Sequence, residues 1–309
     1  MESKHYGEIV YKIRQDRNMS LKEAAGDAIT PNNLSRFEKG LATVKVDTFF
    51  ELLANLNFDL EDLSNILFIH QADHQKIKAV VFALNNNDLT KAKQILGKKS
   101  DWNNILNYYL VKLATIDQVK TLDNITADEL EAINYLKEYI ISLDTLYSYD
   151  LTIITTLLSF KIELFEIGFL EHVEKTIVKA LEDSKNKPID FTHTHSQTAI
   201  LLVRTYSRYG YYDKAEILIY KLKLFLTQRV PFSSVLLLNL FHLNMYEVYN
   251  LLRQNNPKGI ELANNVLHYI DAQNNLFPLA RMFDKKNTFV KDVQRLNKTG
   301  IPFSTEDEE

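Results

Sequence analysis

The chain has 309 residues, no cysteine, 8 Gly, 6 Pro and a hydrophobic share of 46%. Without cysteine there is no disulfide framework, no thiolate zinc site and no Cys nucleophile, and so few helix breakers point to an all-helical chain of roughly two domains. The net charge of −4, from 36 basic and 40 acidic residues, gives no bulk nucleic-acid signal; no apolar leader opens the chain, and its most apolar run, Val235 to Leu243, is interrupted by Asn239 and His242, so a soluble, cytoplasmic protein without a membrane span is expected.

Charge is unevenly placed. Residues 1–45 carry 8 Lys/Arg against 6 Asp/Glu, whereas residues 46–65 carry 5 acidic residues and no Lys or Arg. An electrostatic footprint for DNA must therefore be a local face within the first 45 residues.

Residues 1–65 read as five short helices. Tyr6 to Arg17 sets Ile9, Val10 and Ile13 on one face. Ser20, with Glu23 three residues on, predicts a capping box for Leu21 to Ala25, which Gly26-Asp27 ends. Thr30 caps the next helix, with Pro31 at its first position and Gly40 as its stop. Val46 to Asn55 brings Phe49, Phe50, Leu52, Leu53 and Leu56 together, and Asp59 caps a fifth helix, Leu60 to Leu67.

The second and third helices form a helix-turn-helix pattern. Ala24, Ala25, Ile29, Leu34 and Phe37 are spaced to make its small core. Asn32, Asn33, Ser35 and Arg36 project from the other face, where Asn can read adenine and Arg guanine or a phosphate. Lys12, Arg14, Arg17, Lys39 and Lys45 are candidates for phosphate contacts. Glu38 is expected to hold Arg14 or Arg36 in place rather than to read DNA.

From about residue 70 the pattern becomes longer amphipathic helices with similar turns roughly 40 residues apart. These are Asn87-Asp88-Leu89, Ala127-Asp128-Glu129, Gly168-Phe169-Leu170, Gly210-Tyr211-Tyr212 and Asn256-Pro257-Lys258. Tyr206, Gly210 and Ala215 follow the tetratricopeptide spacing most closely. About five such hairpins would stack into a right-handed solenoid with a concave face, and Leu279 to Leu296 reads as the last helix. The domain organisation expected is 1–65, a junction at 66–78, repeats at 79–303 and an acidic tail at 304–309.

If first helices line the concave face, Gln197, Arg204 and Arg208 lie there, with Asn239, His242, Tyr246 and Asn250 as a polar stripe on the neighbouring first helix. Asn can pair with an extended peptide backbone, and Arg with a peptide carboxylate. The competing expectation for each is solvent exposure or an inter-helix hydrogen bond. His70 and His74 share a metal-compatible spacing, but no third ligand is fixed, so a solvated helix face is expected. His193-Thr194-His195 is expected at a helix start, capping or on the surface. No GxGxxG, Walker loop or GxSxG occurs, so no catalysis, metal or cofactor is expected.

The stretch Asn33-Leu34-Ser35-Arg36-Phe37-Glu38-Lys39-Gly40 resembles the XRE-type helix-turn-helix of the Rgg (GadR/MutR) regulators, within the RRNPP group of Gram-positive quorum-sensing receptors. The turn before Thr30 and the total length fit that group. The resemblance implies a homodimer that binds double-stranded promoter DNA and a short hydrophobic signalling peptide, the peptide altering how the paired DNA-binding domains act. Many XRE domains have Gln where this chain has Leu21, and some Rgg proteins have a dimer-bridging Cys near the position of Val46; here neither is present. Two rival readings are a repeat scaffold or antiactivator with a protein partner, and a repressor sensing a non-peptide ligand. The Ser35-Arg36-Phe37-Glu38 element argues against the first.

Overall fold

The structure is a computed structural model describing residues 3–59, 63, 72–117, 124–160, 164–183, 189–228, 234–276 and 280–303. All regular structure among these residues is helical. The helices are α1 (Ser3–Asp16), α2 (Leu21–Ala25), α3 (Pro31–Glu38), α4 (Val46–Asn55), α5 (Ala72–Asn85), α6 (Leu89–Leu96), α7 (Ile105–Ala114), α8 (Ala127–Ile141), α9 (Ser148–Ser159), α10 (Ile167–Glu182), α11 (Ile189–Arg208), α12 (Tyr212–Gln228), α13 (Ser234–Arg253), α14 (Lys258–Leu276) and α15 (Ala280–Leu296). The expected helix Leu60 to Leu67 lies outside the described residues except Leu63, as do His70 and the tail 304–309. The chain divides into two compact units, Met1–Ile95 and Leu96–Glu309.

In the first unit, local signals are realised as hydrogen bonds. The Ser20 hydroxyl accepts from Glu23 N–H, and the Glu23 carboxylate accepts from Ser20 N–H at 2.7 Å. Thr30 accepts from Asn33 N–H, with Pro31 beginning α3 where its missing N–H costs nothing. At the far end Gly40 adopts φ 69° and Leu41 N–H returns to Arg36 O at 2.8 Å, closing the helix. The core joins Ile9, Val10 and Ile13 of α1 to Ala24 and Ala25 of α2, Leu34 and Phe37 of α3, and Leu52, Leu53 and Leu56 at α4. Phe50, expected in this core, is exposed instead, while Phe49 beside it packs edge-on against Tyr6 and Phe37.

Gly7 sets how closely α1 can approach α3. A Cβ there would lie 1.9 Å from Phe37 O and 2.8 Å from Phe37 C, both backbone atoms. Gly7→Ala is therefore expected to destabilise the first unit by about 1–3 kcal/mol, because neither helix can yield without losing core contacts. Urea unfolding followed by circular dichroism checks it; an unchanged midpoint would show that α1 shifts freely.

In the second unit the first helix of each hairpin packs on the first helix of the next: α7 on α9, α9 on α11, α11 on α13, α13 on α15. Helices α8, α10, α12 and α14 supply the second members. Tyr206 and Ala215 are fully buried at the α11–α12 hairpin, the Tyr206 hydroxyl donating to Glu174 at 2.9 Å. Gly210 there takes φ 80°, and Tyr211 N–H reaches back to Tyr206 O at 2.9 Å. Asn255, at φ 55°, ends α13 in the same way, with Asn256 N–H reaching back to Leu251 O at 2.9 Å, and in the first unit Asn87, at φ 57°, ends α5 with Asp88 N–H on Ala83 O at 2.9 Å. Asn tolerates this left-handed conformation better than most residues, so it can replace glycine at such stops. Two of the expected turns are corrected. Ala127-Asp128-Glu129 and Gly168-Phe169-Leu170 form the first turns of α8 and α10, the former capped by Thr126 and Glu129. Trp102, the single tryptophan, is buried at the start of this unit, donates its indole N–H to Leu96 O at 2.8 Å and sits edge-on to Tyr108.

Candidate nucleic-acid and peptide-binding surfaces

Helix α3 has two distinct faces. Leu34, Phe37 and Glu38 are buried, while Asn32, Asn33 and Arg36 are exposed and Ser35 is half-buried. Lys39 is exposed just past its end, and Lys12 and Lys45 are exposed on α1 and at the start of α4. What fixes the buried face is an ion pair. Arg14 Nε and Nη2 donate to the two Glu38 oxygens at 2.7 and 2.8 Å, and Nη1 donates to Met19 O at 2.9 Å. The two side chains are only 9% and 4% exposed. Glu38 thus holds Arg14, one of the two partners expected for it. Arg14 itself is corrected: it is committed inside the unit, and its guanidinium is not presented for a phosphate. Arg17 is exposed but donates to Leu56 O and lies over the Phe58 ring at 5.8 Å, which fixes its stem against α4's end. Asn55, not singled out by sequence, donates to Ala24 O and Ala25 O, tying α4 to the end of α2.

On the first-helix face the expected set separates. Gln197 is exposed. Arg204 and Arg208 instead donate to Leu158 O at 2.8 Å and Phe160 O at 3.0 Å, occupying carbonyls that α9 leaves unpaired at its C-terminus. Asn239 and Asn250 are 0% and 2% exposed and donate to His193 O and Tyr212 O. All four bind neighbouring helices together, the inter-helix alternative expected for them; Asn239 and Asn250, being buried, are corrected as groove-lining groups, whereas Arg204 and Arg208 are half-buried. His242 and Tyr246 remain half-buried on α13. His193-Thr194-His195 is also corrected: it lies within α11, and His195 is buried rather than on the surface.

His242 has a defined electrostatic setting. Lys285 Nζ lies 3.2 Å from its Nε2. Burial, then the Lys285 ammonium and His193, push its pKa down to about 4 from 6.5. The folded state thus favours the uncharged ring, so His242 contributes stability above pH 6.5 that is lost as pH falls toward about 4. His242→Leu is expected to flatten the fall of melting temperature over that interval; an identical slope would show that other groups carry it. On the flank of α13 facing α12 and α14, a groove of about 440 Å³ is lined by Leu237, Phe241, Leu262, Val266 and Tyr269. Among the described residues no cluster of three or more His, Asp or Glu could hold a metal, and no helix is long and apolar enough to cross a membrane.

The helix-turn-helix family matches residues 10–63, the segment that contains the capped α2–α3 pair. Residues 10–63 are a helix-turn-helix domain. Solved structures match nearly the whole chain. The SHP pheromone receptor Rgg2 of Streptococcus dysgalactiae is 15% identical, with 93% of this chain and 100% of that one covered, at a TM-score of 0.67. A variant of PrgX is 14% identical, with 97% and 96% covered, at 0.66. ComR from S. thermophilus, solved with DNA and its signalling peptide ComS, is 12% identical, with 94% and 99% covered, at 0.56. The chain has the fold of these regulators, as the resemblance of its helix-turn-helix implied.

Proposed function

We propose that the protein is a peptide-responsive, DNA-binding transcriptional regulator, non-enzymatic, cytoplasmic and dimeric. The observation that carries this is α3, whose outward face presents Asn32, Asn33, Ser35 and Arg36 while its inward face is locked by Leu34, Phe37 and the Arg14–Glu38 pair. A rigid short helix with amides and a guanidinium at its exposed N-terminal half is what major-groove reading requires. Lys12, Lys39, Lys45 and Arg17 would supply phosphate contacts that set register. Two such domains in a homodimer would occupy half-sites about one helical turn apart. Residues 1–65 would bind DNA, residues 66–78 would transmit the signal, and residues 79–303 would bind a short hydrophobic peptide and hold the dimer together by packing, since there is no cysteine to bridge it. The relatives that share the fold include one solved with both DNA and a signalling peptide, which supports pairing the two activities.

The test is a titration of the promoter DNA upstream of this gene, with and without short hydrophobic peptides encoded beside it. A peptide acts only if it prefers one domain arrangement over another. The expected result is saturable, salt-sensitive binding that one peptide shifts. Peptide that binds tightly while promoter occupancy and transcription stay unchanged would overturn the reading.

A further inference from the structure

We propose that Lys285, His242 and His193 form a subsite for a single carboxylate, the C-terminus of the peptide. This rests on the peptide-binding reading above and deepens it. The three residues come from α15, α13 and α11, three successive first helices. Lys285 has three N–H donors, of which one can go to His242 Nε2 at 3.2 Å, and among the described residues no carboxylate pairs with it. The adjacent Lys286 is different: it pairs with Asp271 at 3.0 Å. One lysine of this pair is neutralised within the fold, and the other keeps its charge available on the first-helix face.

His193 supplies the second observation. Its Nδ1 is buried and has no hydrogen-bond partner among the described residues, a costly state unless something arrives to use it. Asn239 is a positioning residue here. Its amide donates to His193 O, holding the start of α11 against α13. His193 lies close enough to disfavour a proton on His242, so the full positive charge of the cluster is the Lys285 ammonium beside an uncharged His242 ring. That matches one negative charge. A phosphate dianion would bring a second charge into a half-buried place beside Phe241, where Lys285 is the one cation among the described residues placed against His242. Arg204 and Arg208, the residues expected to take such a carboxylate, each turn one N–H to a backbone carbonyl, at Leu158 O and Phe160 O.

The full-length protein, labelled with 15N-histidine, is titrated at neutral pH with N-acetyl-leucyl-leucine, with its C-terminal amide and with inorganic phosphate. The free acid should shift the His242 and His193 ring signals saturably and raise the His242 pKa, because a carboxylate offsets the Lys285 charge. The amide should bind roughly tenfold to a hundredfold more weakly, the worth of a charge-assisted hydrogen bond. Lys285→Met should lose the preference for the acid, and Lys285→Arg should keep it, which separates lost charge from lost folding. Equal binding of acid and amide, an unchanged preference in Lys285→Met, or phosphate binding as tightly as the acid would each overturn the subsite. A wholly amidated peptide that still shifted promoter binding would overturn the subsite and leave the peptide reading intact.

Discussion

Glu38→Ala is expected to lower the stability of the first unit by ~3–5 kcal/mol, because it leaves the Arg14 guanidinium buried without its counter-charge. A small helical domain has about 5–15 kcal/mol in total, so much of it would unfold. The cause lies in how little water reaches the pair: neither side chain is more than a tenth exposed. Removing both charges is a different experiment. In Arg14→Met with Glu38→Leu, no unpaired ion remains and most of the stability should return. Urea unfolding monitored by far-ultraviolet circular dichroism reads both proteins. A loss below about 1 kcal/mol in the single variant would place the pair among weak surface bridges. Promoter binding by the double variant then tests whether the ion pair orients α3 beyond holding the fold.

Arg36→Ala should leave stability nearly unchanged, because the side chain is exposed on α3. Its expected effect is on DNA: about 1–3 kcal/mol of lost affinity, roughly tenfold to a hundredfold. The pattern of loss identifies the contact. If Arg36 reads a guanine, discrimination at one operator position relaxes. If it meets a phosphate, all sequences weaken alike and the salt dependence falls by about one ion. Unaltered affinity and salt dependence would remove α3 from the interface.

What the sequence made legible in the first unit was local. The Ser20–Glu23 box, the Thr30–Pro31 start and the Gly40 stop each join residues within five positions, so spacing alone specifies them. The α3 faces followed from helical period. Arg14 was expected both as a phosphate contact and as one of two partners for Glu38; its partner is 24 residues away, and an arginine on a basic helix looks the same in sequence whether it meets a phosphate or a glutamate, so spacing could not choose between them. Gly7 escaped notice for a related reason: the backbone it touches belongs to another helix. Of the five expected turns, those at Asn87, Gly210 and Asn256 lie between helices, but Ala127-Asp128-Glu129 and Gly168 already lie in helix, since an acidic first turn and a turn have similar composition. The polar stripe on α13 was visible as a stripe, yet Asn239 and Asn250 spend it on carbonyls of adjacent helices while His242 faces Lys285. Sequence period gives the side of a helix but not which neighbour occupies it.

The single tryptophan has a practical consequence for every experiment above. Trp102 is buried at the start of the second unit with its indole hydrogen-bonded, and the first unit has no tryptophan. Emission excited at the red edge of the absorption band therefore reports melting of the repeats alone. Circular dichroism sums both units. Recording the two signals in one denaturant titration separates their transitions without a label or a truncated protein, so damage done by Gly7→Ala or Glu38→Ala should displace the dichroism curve and leave the emission curve where it was.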